Sequence, residues 1–251
     1  MIAISQAVIL MAGEGSRLRG GDETFLKPLV RLLGRPLICY TIDALMRAGI
    51  KKVTFIVGYQ RDRLVAAVEQ LVPPRLEACF VENPDWQKQN GVSVLAAANH
   101  LAEPFLLTMS DHLFDNLIVD LLLCNAAPDE LNLAIDRKLD SIFDVDDAMK
   151  VQTRGKRICK IAKHLTEYDA IDTGLFVCPL EIFDHLERTK LDGDCSLADG
   201  VRSMAAEGRA RAIDIGDAWW QDVDTREMLV QAEKHLRARG SRRAQQIPKN
   251  S

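Results

Sequence analysis

The chain has no apolar run approaching the roughly 18 residues that cross a bilayer. Its first residues lack a charged stretch followed by an apolar segment and a small-residue cleavage site. No transmembrane segment is expected, and the expected compartment is the cytoplasm. An excess of positive charge is also missing. Against 32 Lys and Arg stand 36 Asp and Glu, a net charge of -4. Dedicated nucleic-acid binders are usually basic, so no nucleic-acid partner is expected. There is no CxxC pair among Cys39, Cys79, Cys124, Cys159, Cys178 and Cys195. A chain of 251 residues can bury a core without disulfides, so most of these thiols read as reduced, small core hydrophobes. Cys195 lies in a polar stretch and reads as exposed. Aromatics make up only 6%, with no dense cluster in the second half that would box a cationic head group.

What is present is a globular composition, 47% hydrophobic and 27% charged. Apolar runs of strand length at 6–11, 53–58, 76–81 and 104–110 alternate with amphipathic segments at 37–48, 61–71, 92–99 and 115–124. Strands that are apolar throughout are covered on both faces. The pattern predicts an α/β fold, Rossmann-like, with a mostly parallel central sheet and helices on both faces. The second half is less regular. It predicts strands at 131–136, 171–178 and 210–215, a hairpin around Gly155 over 150–163, and helices at 179–189, 196–207 and 226–238. One domain over 1–238 is expected, followed by a basic, disordered tail over 239–251.

The first strand runs into Met11-Ala12-Gly13-Glu14-Gly15-Ser16-Arg17. Glycines let backbone N–H groups converge on an anion, and Arg17 adds a guanidinium that matches phosphate oxygens. Lys27 supplies a compact charge further on. The turn is not a dinucleotide fingerprint, because the third glycine is missing, and no Gly-Lys-Ser/Thr follows as in a Walker loop. Asp111, after Ser110, sits where the strand 104–110 ends. Ligands on parallel sheets bind beyond such ends, although a turn aspartate could stand there equally well. Asp222 and Asp224, two residues apart, share a side if their segment is extended.

The run LMAGEGSRL, followed by LKPLVRLLGRPL, resembles the signature of the nucleotidyltransferases that make nucleotide-activated sugars and alcohols. Ser110-Asp111-His112, Lys160–Lys163, Asp169–Gly174 and Trp220–Thr225 resemble the inositol-1-phosphate cytidylyltransferase branch. The resemblance implies the nucleotide-diphospho-sugar transferase type of fold and transfer of CMP from CTP to a phosphorylated small-molecule acceptor, inositol 1-phosphate first among them. Phosphonates, phosphocholine-like compounds and sugar 1-phosphates remain alternative acceptors, and a nucleotide-sensing domain of the same fold is the non-enzyme alternative. The turn, Met11 through Ser16 with Ser110, would bind the nucleotide. Asn90, Gly91 and Ser93 would lie near base and ribose, or cap a helix. Arg17, Lys27 and Asp111 would be catalytic. The family pattern matches Asp111 and Asp222 to Mg²⁺, with Asp224 as alternate ligand or orienting group. Asp136, Lys163, Asp172, Thr173 and Gly174 would serve the acceptor. His112 and the tryptophans read as supporting residues, and 20–26 as a lid. A homodimer is compatible with such a fold, but no interface pattern identifies it.

Overall fold

The first strand, β1 (Gln6–Leu10), is buried along its whole length because its side chains feed two cores. Val8 and Leu10 enter one, Ala7 and Ile9 the other, as the two-residue period of a strand requires. Residues 4–245 are described in the computed structural model, with side chains to residue 239. After β1 come a short helix α1 (Ser16–Arg19) and a two-stranded ribbon of β2 (Arg31–Leu32) and β3 (Arg35–Pro36). Then follow α2 (Leu37–Arg47), β4 (Lys52–Val57), α3 (Arg61–Glu69), β5 (Glu77–Glu82) and α4 (Asn90–Ala96). Next are β6 (Phe105–Met109), β7 (His112–Phe114), α5 (Asn116–Asn125) and β8 (Leu131–Asp136). The second half holds β9 (Lys150–Arg154), β10 (Arg157–Ala162), β11 (Ala170–Cys178), α6 (Ile182–Thr189) and α7 (Leu197–Ala206). It ends with β12 (Ala210–Asp214), β13 (Trp220–Asp222) and α8 (Arg226–Gln245).

Nine strands form one sheet in the order β5-β4-β1-β6-β11-β8-β12-β10-β9. β1 pairs in parallel with β4 and β6, and β4 with β5. β10 and β11 run against their neighbours. This is the mostly parallel α/β sheet expected. Helices α4, α6 and α7 supply Val94, Ile182, Leu186, Val201 and Met204 to one face. Helices α2, α3 and α5 supply Ile42, Leu45, Leu64, Val68, Ile118 and Leu122 to the other. A smaller cluster of Leu18, Leu32, Leu37, Leu113, Val223 and Ala232 seals the margin where β7, β13 and α8 meet.

Two expectations need correction. Cys195 is buried, packed against α4 at the start of α7, while Cys124 and Cys159 are exposed. The final helix continues to Gln245 instead of stopping at 238. Its Arg, Ala and Gln content favours helix, and the single Gly240 costs only about 1 kcal/mol. Arg239, where the tail was placed, pairs with Asp115 at the start of α5; residues 246–251 lie outside the described residues. In the segment 20–26, expected as a lid, Asp22 Oδ1 accepts from the Thr24 N–H at 2.8 Å, and the Tyr59 hydroxyl donates to the Glu23 carbonyl at 3.3 Å.

Candidate active site

The glycine-rich turn is fixed from below by backbone bonds to the β4 edge: Met11 N–H donates to Ile56 O at 2.9 Å, and Tyr59 N–H to Ala12 O at 2.8 Å. Met11 and Ala12 are therefore buried supports. Gly13 is open around its α-carbon, while Gly15 has φ 63° and lies over the stem of Lys27. A Cβ on Gly15 would stand 2.8 Å from Lys27 Cβ, so this glycine answers both a backbone and a packing demand. Beyond it, Gly13, Glu14, Gly15, Ser16 and Arg17 line a cavity of about 370 Å³ together with Trp86, Gln87 and Asp224.

Lys27 opens a single 3-10 turn, Lys27–Leu29, and is only 9% exposed. Its Nζ lies between the carboxylates of Asp111 and Asp224. Burial opposes its charge, but the two carboxylates outweigh burial and hold the ammonium above its ordinary pKa. Asp111 is kept well below the usual carboxylate range: burial alone would raise it, and Lys27 and His112 overcome that. Asp111 Oδ1 meets His112 Nδ1 at 2.6 Å. Despite its burial, His112 is pushed up to about 9 by Asp111, so the ring is an imidazolium near neutral pH.

Arg17 contacts Asp224 and also donates to Asp147 Oδ2 at 2.5 Å. Asp147 Oδ1 accepts from Lys163 Nζ at 2.7 Å. The result is a chain of alternating charge: Lys163, Asp147, Arg17, Asp224, Lys27, Asp111, His112. Asp222 stands outside this pairing. Its carboxylate makes no hydrogen bond or ion pair among the described residues, and burial together with Asp224 and Asp111 raises its pKa.

These aspartates are brought together by a ribbon that sequence periodicity does not reveal. β13 pairs antiparallel with β7, setting Asp222 against His112, and Val223 N–H donates to Asp111 O at 3.0 Å. A second cavity, of about 380 Å³, opens beside it and is lined by Arg17, Asn90, Lys163, Asp172, Gly174, Asp222 and Asp224 among others. Arg17 and Asp224 line both cavities.

The remaining sequence candidates divide. Asp172 lies in the second cavity, and burial raises it to about 6 although the Gly174 N–H donates to it at 2.7 Å. Asp136 also lines that cavity, but its oxygens receive Trp220 Nε1 at 2.9 Å and Lys138 Nζ at 2.8 Å. Thr173 is turned inward and donates to Ala134 O at 2.8 Å. Gly91 packs so closely that a Cβ would lie 2.6 Å from Cys195 O. Ser93 is buried and accepts from Asn83 Nδ2 at 3.0 Å. Asn90 accepts the Leu197 N–H at 2.8 Å and still lines the second cavity; the N-cap of α4 is Gln89. Ser110 is buried, its N–H donating to Leu10 O at 3.0 Å. Asp147 escaped sequence reasoning, as did Trp86 as a cavity wall.

Gly174 has φ 73°, and a Cβ there would come within 2.3 Å of His112 Cδ2. Gly174→Ala is therefore expected to destabilise the fold by about 2 kcal/mol from backbone strain alone, and to push His112 off Asp111. Urea denaturation measures this; an unchanged midpoint would contradict the strain assigned to the positive φ at 174 as well as the clash with His112.

Residues 7–143 match the MobA-like NTP transferase domain. The chain belongs to this family. Among curated proteins it is similar to the bifunctional IPC transferase and DIPP synthase of Thermococcus kodakarensis, with 34% identity over 92% of this chain and 50% of that protein. The corresponding protein of Aquifex aeolicus is 31% identical over 93% of this chain and 52% of its own length. The chain thus spans about half the length of these relatives. Among solved structures, the inositol-1-phosphate CTP transferase from T. maritima has a TM-score of 0.83 at 26% identity, covering 93% of this chain and 95% of that one. A UDP-glucose pyrophosphorylase from Acinetobacter baumanii, at 18% identity and a TM-score of 0.72, shares the fold. In this NTP transferase the family match covers β1 through β8, and Asp147, Lys163, Asp172, Asp222 and Asp224 lie beyond it.

Proposed function

We propose that this NTP transferase is a cytidylyltransferase that transfers CMP from CTP to inositol 1-phosphate, giving CDP-inositol and pyrophosphate. The observation that carries the reading is the meeting of two cavities at Arg17 and Asp224. One is walled by the glycine-rich turn, suited to a triphosphate. The other presents Lys163 for a phosphate and Asp172 for hydroxyls. The likeness to the inositol-1-phosphate CTP transferase supports both cytosine and inositol. Among the described residues no helix is long and apolar enough to cross a membrane, and a cytoplasmic setting with access to CTP suits the reading.

In this reading an oxygen of the acceptor phosphate attacks the α-phosphorus, and the bond to the departing pyrophosphate breaks. Arg17 holds the β- and γ-phosphates. Lys27, already central among the charges, stabilises the α-phosphate as negative charge gathers there. The acceptor arrives as an anion, so no general base is needed. His112, held as an imidazolium by Asp111, has no free lone pair for such a role and fixes Asp111 instead.

The donor set suits Mg²⁺. Asp222 has free carboxylate oxygens crowded by Asp224 and Asp111, and a divalent cation relieves that repulsion. No ready cluster of three or more His, Cys, Asp or Glu donors exists among the described residues. Mg²⁺ typically takes one or two carboxylates and completes its shell with water and phosphate oxygens. Asp222, with Asp111 or Asp224, would hold it. When bound it neutralises phosphate charge along the transfer.

The test is pyrophosphate release by the purified chain with Mg²⁺, scanning CTP, UTP, GTP and ATP against inositol 1-phosphate, a phosphonate and sugar 1-phosphates. Release with CTP and inositol 1-phosphate above every other pair is expected. Faster turnover with another acceptor would move the assignment to it.

A further inference from the structure

One member of the charge chain serves both sides of the site. Asp147 holds Arg17 with Oδ2 and Lys163 with Oδ1, and both contacts draw on the same carboxylate. Arg17 rises from the turn that walls the first cavity; Lys163 follows β10 and faces only the second. The hydrogen bond from Lys163, together with Arg17, holds that carboxylate below its ordinary pKa. The backbone around Asp147 is clipped to Lys163 as well. Buried Lys150 donates through Nζ to Asp146 O at 3.1 Å and to Lys163 O at 2.8 Å. Asp147 and Lys163 are thus carried on one braced unit, whereas Arg17 reaches them from across the site.

An anion that arrives on Arg17 stands against the Asp147 carboxylate, and like charges in contact repel. Both contacts belong to one carboxylate, so its displacement by a phosphate on either side loosens its grip on the other cation. The first anion bears the cost of that displacement and the second is spared it, which is positive linkage between two sites.

We propose that Asp147 is a positioning residue that couples the two substrates: in the free protein it ties Arg17 to Lys163, and the first phosphate to bind releases both for the second. The inference rests on the assignment of the two cavities above. Asp147 itself touches neither reacting atom and acts through the two cations. Each exposed ion pair is weak alone, so the effect is expected as a modest change in affinity rather than loss of the site.

The experiment is calorimetric titration of the full chain, with EDTA present so that no divalent cation bridges the ligands, using pyrophosphate for the Arg17 side and inositol 1-phosphate for the Lys163 side; without CTP or CDP-inositol no reaction occurs. In the wild type each ligand should tighten the other by about fivefold. In Asp147→Asn each should bind alone about as tightly as it does in the doubly occupied wild type, and the mutual enhancement should vanish. Asp147→Glu should retain it. A merely structural lesion would weaken both ligands, the opposite sign. Pyrophosphate binding to Asp147→Asn that is unchanged or weaker than to the wild type overturns the inference, whatever the acceptor. Tighter pyrophosphate binding, with no inositol 1-phosphate binding to either protein, upholds the hold on Arg17 and removes inositol 1-phosphate as acceptor.

Discussion

Lys27→Met is expected to lower kcat by about 10²- to 10³-fold, the usual consequence of removing one preorganised charge from a transferring group. The same change should destabilise the fold by about 3 kcal/mol, because it strips the partner from charges that are already out of water. Lys27 is almost wholly buried, and its ammonium is the link between Asp111 and Asp224. Its methylenes run beneath Gly15, so Met can fill the volume while the charge is lost. Lys27→Arg should not restore activity: the broader guanidinium cannot take the position of a compact ammonium between two carboxylates. Lys27→Met combined with Asp111→Asn should recover part of the stability and none of the turnover. Steady-state rates and urea denaturation, read together, test this. A Met variant that keeps half its turnover would remove Lys27 from the reaction.

Much of this site could be read along the chain because its parts lie where short patterns are informative. The β1 turn announces itself by glycines directly after an apolar run, and Asp111 by its place at the end of β6. The residues that join these parts were harder to see. β7 and β13 are three residues each, too short for periodicity to separate a strand from a loop. Their pairing is a tertiary event, so periodicity does not relate Asp222 and Asp224 to Asp111; only the family resemblance does. Asp147 lies among Asp140, Asp144 and Asp146, where any one carboxylate looks like a solvated surface charge. Only the approach of Arg17 and Lys163 singles it out.

Packing and ligand-binding demands also overlap in single residues. Gly91, Ser93 and Thr173 sit in segments that resemble ligand-binding motifs, yet their side chains or lack of them answer packing demands. Gly91 admits the backbone of 195–196, Ser93 accepts from Asn83, and Thr173 secures the sheet at Ala134. Motif spacing identifies the segment that approaches a ligand. It does not reveal which face of that segment turns inward, because that depends on a partner element far away in sequence.

Asp111→Asn should be the other severe lesion, with a loss of about 10²-fold or more in kcat and a distinctive change in titration. Asp111 is the last carboxylate of the charge chain and the reason His112 stays charged: burial pushes the imidazole down, and the carboxylate raises it to about 9. Without that charge the desolvation remains and only the weaker pull of Asp222 and Asp172 still favours the proton, so His112 should titrate well below 9. The sign for stability follows. A histidine raised in the folded state contributes fully below its unfolded pKa, and the contribution disappears as pH rises through the folded value. The stability gap between wild type and Asp111→Asn should therefore be larger near pH 6 than near pH 9.5, narrowing as His112 loses its proton. The lowered pKa of Asp111 adds a part that is constant across this range and is lost only in acid. Imidazole NMR titration of both proteins in EDTA measures the shift directly. A wild-type His112 titrating near 6.5 would contradict the assigned pairing and reopen the imidazole as a proton acceptor. If it titrates near 9, the ring already carries its proton at neutral pH and is not the base, which fits transfer on the acceptor's own charge.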